Sequence, residues 1–317
     1  MRADEPKKVA VIGASGIGKH HAKWWALEGA EVCAIVGTSD ESVAETGNML
    51  REMFGFSGRG YTNLRDMLKA ESPDIVDVCT PPHLHYQHAT TALQAGCDVL
   101  CEKPFVFDEE LSAEDLLKQA NGLVEQAKSN NCMLGLCTQF FVAGKLCREI
   151  REEHDHGPPL RAFRGHLASP ARGRAPVPEE VWFDLAPHMV GALQAVVPEA
   201  TILWDAAVVE SGGYRTRVAF QATDSAGSQV NAEIITDRTV DQPSHVRHID
   251  LNEWSFELEG ENDEDGIFRA RIVTPYGIFL RPDTMRLVIR DFLAGNPVVD
   301  GPTAVQNLDW TLRLGGF

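Results

Sequence analysis

The sequence contains no apolar run near the roughly 18–20 residues that a helix needs to cross a bilayer. Nor does it contain a Cys-x-x-Cys pair among its seven cysteines, Cys33, Cys79, Cys97, Cys101, Cys132, Cys137 and Cys147. They are odd in number and sit in apolar runs such as VCAIV, VDVCT and DVLCE. That excludes a disulfide framework and points to buried, reduced thiols in a cytoplasmic protein. His83, His85 and His88 cluster in TPPHLHYQHA, but no cysteine or carboxylate completes a ligand set nearby, so no metal site is expected. Positive charge is scarce: 29 Lys and Arg stand against 46 Asp and Glu, for a net charge of −17. Such a surface repels nucleic acid phosphates and anionic membranes, so neither is an expected partner. Repeats, low-complexity tracts and flexible linkers are also lacking. The polar start, MRADEPKK, runs straight into VAVIG, so no signal peptide is expected.

What is present is a normal globular composition. With 317 residues and 44% hydrophobic content, the chain is long enough for two domains with full cores. Over the first ~138 residues, short apolar strands (KKVAVIG, EVCAIVG, PDIVDVCT, CDVLCEKP, CMLGLCT) alternate with helical patterns. Ser39/Asp40 and Asn63 read as helix caps, and a long helix is expected over about Glu109–Ser129. Continuous apolar strands separated by helices predict a parallel sheet covered on both faces. After that the pattern changes. A helix carries WFDLAPHMVGAL. From about Thr201 to Leu280, alternating segments separated by Gly/Asn/Asp turns predict an antiparallel sheet. Helices near Thr284–Ala294 and Thr303–Leu314 close the chain. The expected architecture is an α/β domain with a parallel sheet over residues 1–138, followed by an α+β domain with a large, mainly antiparallel open sheet over 139–317.

The run from Val9 to Gly18, VAVIGASGIG, follows a strand and opens a helix, the context in which a Gly-rich loop binds a dinucleotide. Gly13 is positioned for the tight turn and Gly18 for close helix–strand packing. Ser15 occupies the middle glycine position of the fingerprint, followed by Gly16 and Ile17; its N–H and hydroxyl can face a phosphate at the helix N-terminus. The second strand ends in Gly37, Thr38 and Ser39, where an NAD site commonly has a carboxylate for the ribose 2′-hydroxyl. Without that charge, and with two hydroxyls, the loop leans towards NADP over NAD, although no Arg or Lys follows at once.

Asp184 and His188 stand four apart, on one face of a helix. With Lys103, in the CEKP strand end, they form a base, an orienting acid and an electrostatic clamp suited to taking a proton from an alcohol. Paired with a cofactor loop, that trio points to hydride transfer.

VAVIGASGIGKHHA, DIVDVCTPPHLHYQHATTALQAGCDVLCEKP and FDLAPH together resemble the Gfo/Idh/MocA family of NAD(P)-dependent oxidoreductases over nearly the whole chain. The resemblance implies a Rossmann domain joined to an open-sheet domain, and a sugar, cyclitol or related polyol as substrate. It places Thr80, Pro81, Pro82 and His85 along the cofactor cleft, and Glu102 and Lys103 near the nicotinamide ribose and the substrate. It makes His188 the acid/base and Asp184 its companion in orienting the substrate. It also implies a homodimer or homotetramer formed through the open sheet. Three features depart from the family pattern: Glu179–Phe183 replaces a Gly-rich stretch, Gly191 and Ala192 stand where many relatives have Asp, and Gln139–Phe141 replaces a polar run. These changes lie on the substrate side. Trp182, Phe140 and Phe141 are expected in the core, and Arg172 and Arg174 in a solvated loop. Two other functions suit the same motifs, a glycoside-cleaving enzyme that recycles its cofactor and a ligand-sensing regulator.

Overall fold

The computed structural model describes residues 5–154 and 159–316; the first residues of MRADEPKK lie outside them. The chain divides into two compact units, Met1–Cys137 with Met285–Leu308, and Thr138–Thr284 with Asp309–Phe317.

The first unit alternates strands and helices: β1 (Lys8–Ile12), α1 (Gly18–Leu27), β2 (Glu31–Val36), α2 (Asp40–Phe54), β3 (Arg59–Tyr61), α3 (Leu64–Glu71), β4 (Ile75–Val78), a 3₁₀ turn (Pro82–Leu84), α4 (His85–Gln94), β5 (Asp98–Glu102), α5 (Ala113–Ser129) and β6 (Leu134–Cys137). The six strands pair in parallel in the order β3-β2-β1-β4-β5-β6. Val9, Ala10, Val11, Val76 and Val99 are fully buried, as strands covered on both faces require. Local chemistry sets the helix ends. Ser39 caps α2 in a reciprocal box with Ser42, Asn63 accepts from the N–H groups of Arg65 and Asp66, and Gly55 ends α2 in the left-handed region. The long helix starts at Ala113 rather than near Glu109, because Ser112 caps it.

Residues 285–308, read from sequence as part of the second domain, join the first unit. In α8 (Thr284–Leu293), Arg286 and Arg290 hold Glu28 at 2.5 and 2.9 Å. Phe292 meets Trp25 edge to face, and the Leu136 N–H donates to the Val299 carbonyl at 2.9 Å. Such pairings between distant segments leave no periodicity in the sequence.

The second unit contains α6 (Gln139–His154), β7 (Ala162–Pro170), α7 (Pro178–Val196) and seven further strands, β8 (Thr201–Gly212), β9 (Arg215–Thr223), β10 (Gln229–Thr239), β11 (Val246–Leu251), β12 (Trp254–Asn262), β13 (Phe268–Thr274) and β14 (Gly277–Pro282). They form one eight-stranded sheet in the order β14-β13-β12-β11-β7-β10-β9-β8, antiparallel except for β7 against β10. Alternation on β7 sends Phe163 and Leu167 into the core and Arg164 outwards. Gly165 lies beneath Met189 of α7, where a Cβ would stand 2.8 Å from its sulfur. α7 packs equally tightly on α6: a Cβ on Gly144 would sit 2.7 Å from the Ala192 carbonyl oxygen. That close approach gives the glycine at 144 its packing reason. The last helix, α9 (Gly301–Gly315), contributes to both units.

Candidate active site

In the first unit, the residues read as cofactor ligands gather at the carboxyl ends of β1, β2, β4 and β5. Strand order reverses between β1 and β4, which is where open α/β sheets receive ligands. Gly13 has φ +82°, and a Cβ there would stand 2.6 Å from the Cys79 carbonyl oxygen. Its N–H donates to the Val36 carbonyl at 2.9 Å, so the ends of β1, β2 and β4 meet at one glycine. Gly18 is equally constrained: a Cβ would lie 2.7 Å from the Gly13 carbonyl oxygen. Gly16 has open space around it. Ser15, Gly16 and Ile17 are exposed. No side chain caps the N-terminus of α1, and its first turn carries no acid. This end therefore presents backbone N–H groups and the positive end of the helix dipole outwards, the arrangement that takes a pyrophosphate.

The end of β2 is built differently. A Cβ on Gly37 would press on Val43 at 2.8 Å, so packing against α2 demands glycine there whatever the cofactor. Thr38 is exposed. The Ser39 hydroxyl accepts from the Ser42 N–H at 3.2 Å, and Asp40 and Glu41 fill the first turn of α2.

After β4, Thr80, Pro81 and Pro82 run into α4. The Thr80 hydroxyl lies 3.2 Å from His88 Nδ1. His85 is fully buried. Its ring nitrogens face the carbonyl oxygens of Pro104 and Thr80, each at 2.8 Å, so it braces this loop against the turn that follows β5 and lines no open surface. Burial lowers its pKa, against the pull of the two carbonyls, and a neutral ring donates to one of them at a time. In the β5 turn, the Glu102 carboxylate accepts the backbone N–H of Lys103 at 3.1 Å.

In the second unit, α7 carries Asp184 and His188 one turn apart, both half-buried. The Thr138 hydroxyl lies 2.9 Å from His188 Nδ1, and the Phe140 ring packs 5.1 Å from the imidazole. Arg238 of β10, which sequence reading did not single out, is buried and donates to both Asp184 and Ser169. An Arg in an alternating strand looks like any outward-facing residue, and nothing in DRT marks it. Trp182 is in the core, donating to the Thr311 carbonyl at 2.8 Å, while Arg172 and Arg174 are exposed. Lys103 belongs to the first unit and the Asp184/His188 pair to the second. Among the described residues, no helix is long and apolar enough to cross a membrane.

Residues 7–137 match the family described as "Oxidoreductase family, NAD-binding Rossmann fold", Gfo/Idh/MocA, the family that the sequence motifs resemble. A D-glucoside 3-dehydrogenase of Escherichia coli (strain K12) is 36% identical over 110 residues, 34% of this chain and 30% of that protein. By sequence, then, the chain spans under a third of the length of this curated relative. By structure, it is similar to UDP-N-acetylglucosamine 3-dehydrogenase from Acidithiobacillus ferrooxidans, with TM-score 0.70 and 19% identity over 98% of this chain and 97% of that one. Scyllo-inositol dehydrogenase from Lactobacillus casei, solved with NAD(H) and scyllo-inositol, gives TM-score 0.69 at 13% identity over 98% and 96%. At these identities the likeness is one of fold, and it extends to the mainly antiparallel second sheet.

Proposed function

We propose that the protein is an NAD(P)-dependent dehydrogenase or reductase acting on a hydroxyl or ketone carbon of a sugar, cyclitol or related polyol. The observation that carries this reading is the uncapped, acid-free N-terminus of α1 beside Gly13, within a segment that matches an NAD-binding family. The dehydrogenases it resembles are named for sugar or cyclitol substrates.

In this reading the N–H groups of Ser15, Gly16 and Ile17 bind the pyrophosphate, with Gly13 and Gly18 admitting the close approach. Thr80, Pro81 and Pro82 line the cofactor, and His85 holds that loop in place. Glu102 and Lys103 serve the nicotinamide ribose and the substrate. When bound, the nicotinamide ring supplies the hydride acceptor. Thr138 fixes the His188 ring through Nδ1, which assigns the hydroxyl proton to Nε2. The Lys103 ammonium polarises that hydroxyl and stabilises the developing alkoxide. Asp184, anchored by Arg238, orients the substrate.

For the cofactor's 2′ position, Thr38 and Ser39 with no carboxylate at 37 favour a phosphate, while Asp40 and Glu41 oppose one. We read the site as accepting both NADPH and NADH, with affinities within about tenfold, or 1.4 kcal/mol. The outward face of the second sheet, the one that carries Arg164, also carries exposed Val208, Ile278 and Leu280. We read it as the surface that joins copies of the chain into a homo-oligomer, and light scattering that gave only monomer at micromolar concentration would remove that part.

Titrating the protein with NADPH and NADH by nicotinamide fluorescence is the primary test. Binding of neither refutes the proposal and leaves the sensor role. Binding, followed by net NAD(P)H formation in a screen of polyols and sugars, supports it; a cofactor recycled without net formation identifies the glycoside-cleaving alternative. His188→Asn removes the acid/base and lowers turnover by about 10²–10⁴-fold; unchanged turnover sinks the assignment.

A further inference from the structure

Beneath the cofactor loop, wholly within the first unit, lies a buried polar cluster centred on His21 and Asp77, residues to which the proposed chemistry assigns no role. His21, on the first turns of α1, is 1% exposed. Its Nδ1 is 2.9 Å from Asp77 on β4, and its Nε2 is 3.1 Å from Glu102 at the end of β5. Asp77, fully buried, also accepts from the Trp25 indole at 2.6 Å and the Cys79 thiol at 3.3 Å. One imidazole therefore joins three separate elements, each of which leads to a residue of the cofactor site: α1 follows the Gly13–Gly18 loop, β4 leads to Thr80, and Glu102 accepts the Lys103 N–H. Burial works against charge on His21, but Cys79 and Asp77 raise its pKa well above the usual imidazole value. Burial keeps the Cys79 thiol protonated, so at neutral pH the Asp77 carboxylate, bonded to the ring, does this work. An imidazolium donating to a carboxylate from each ring nitrogen is a charge-assisted, two-sided tether.

We propose that His21 is a positioning residue that ties the helix behind the cofactor loop to Glu102 and so fixes the turn that carries Lys103. This rests on the reading of Lys103 as part of the reaction centre. The same donors, His21 with Asp77 and Cys79, or with Glu102 and Cys137, lie close enough to one another to hold a metal ion. The tether is the better reading because both ring nitrogens already face a carboxylate, and Asp77 already has two further donors.

The test measures the acetylation rate of each lysine in the full chain by competitive labelling with acetic anhydride and mass spectrometry, for wild type, His21→Gln and Asp77→Asn. Losing the tether releases the turn, so Lys103 is expected to react about three- to tenfold faster in His21→Gln, the equivalent of one or two hydrogen bonds. A smaller change of the same sign is expected in Asp77→Asn, which keeps the shape and removes the charge. Lys69 on α3 and Lys118 on α5 serve as controls and keep their wild-type rates; a general loosening would raise them too. If Lys103 reacts at the wild-type rate in either folded variant, or if wild-type protein carries one equivalent of a transition metal at this cluster, the proposal is overturned. NADH protection of wild-type Lys103 is measured alongside. Its failure counts against the placement of Lys103 near the nicotinamide and leaves the tether to be judged by the variants.

Discussion

The Arg238–Asp184 pair predicts an asymmetry that can be measured. The Arg238 side chain is 8% exposed and the Asp184 side chain 39%. Replacing Asp184 with Ala leaves a guanidinium in the protein interior with the Ser169 hydroxyl as its remaining side-chain acceptor. Stranding a buried charge costs about 3–5 kcal/mol, and some water access reduces this to about 2–4 here. Replacing Arg238 with Met instead leaves a carboxylate that water reaches, while the methionine keeps most of the buried volume. Losing an ion pair with an exposed partner costs about 0–1 kcal/mol. Asp184→Ala should therefore destabilise the second unit by about 2 kcal/mol more than Arg238→Met. Urea unfolding followed by tryptophan fluorescence suits the comparison, since Trp182, Trp204, Trp254 and Trp310 all belong to that unit. The midpoint shift at unchanged slope reports stability. The double variant should recover part of the Asp184→Ala loss, with a coupling of about 0.5–3 kcal/mol. An Arg238→Met cost equal to or above that of Asp184→Ala refutes the argument, because the stranded buried charge would then not be the dominant effect. If Asp184 also orients the substrate, Arg238→Met lowers kcat/KM without removing the acid/base.

Three further outcomes follow from other parts of the chain. Gly13→Ala forces a side chain into the left-handed region, at about 1–2 kcal/mol, and against the Cys79 carbonyl; it should weaken NADH binding and lower the melting temperature. Gly16→Ala, with open space around it, should keep the wild-type melting temperature, and a matching loss in both variants contradicts the packing account. His166 on β7 has its pKa pushed down to about 4, first by burial and then by Arg215 and Arg164. Its folded value lies below its unfolded value near 6.5, so it costs no stability above pH 6.5, and stability falls as pH drops from there towards 4. His166→Gln should flatten that part of the pH–stability curve; an unchanged slope places the acid sensitivity elsewhere. Of the seven thiols, Cys132 alone is not buried, so a thiol reagent should label one site quickly in native protein and the other six on unfolding. Rapid labelling of Cys79 or Cys137 contradicts the buried cluster around His21.

Much of the fold is legible in the sequence because its elements carry local chemistry. VAVIG and IVDV read as parallel strands since both faces are buried and, Asp77 apart, every residue is apolar or small. Ser39 and Asn63 announce helix starts because their side chains satisfy N–H groups two or three residues on. Gly13 and Gly18 reveal themselves because a tight turn and a close approach exclude any Cβ. The placement of residues 285–308 in the first unit is illegible for the opposite reason. It depends on Glu28 meeting Arg286 and Arg290, and on Phe292 meeting Trp25, pairings made across more than 250 positions by side chains that look ordinary alone.

The site divides along the same line. Residues that would meet a ligand through backbone or unusual composition stand out: the Gly-rich loop, the Thr-Pro-Pro turn, and the Glu-Lys-Pro strand end. Residues that act by holding others do not. His21 reads as one of two adjacent histidines on an amphipathic helix, and only the fold shows that it, and not exposed His20, turns inward between Asp77 and Glu102. Arg238 reads as an alternating polar strand residue until the sheet brings it beneath α7. His85 was legible as belonging to the loop but not as a brace, because spacing cannot show that both of its nitrogens meet carbonyl oxygens in the interior. A buried charge persists only where its partners are fixed. In this chain, each of three buried charged or imidazole groups next to the candidate site has a partner at least 19 positions away in sequence: His85 in Pro104, His21 in Asp77 and Glu102, and Arg238 in Asp184 and Ser169. Variants at these three residues, rather than at the exposed loop, therefore separate the scaffold's contribution from that of the groups that would touch cofactor or substrate.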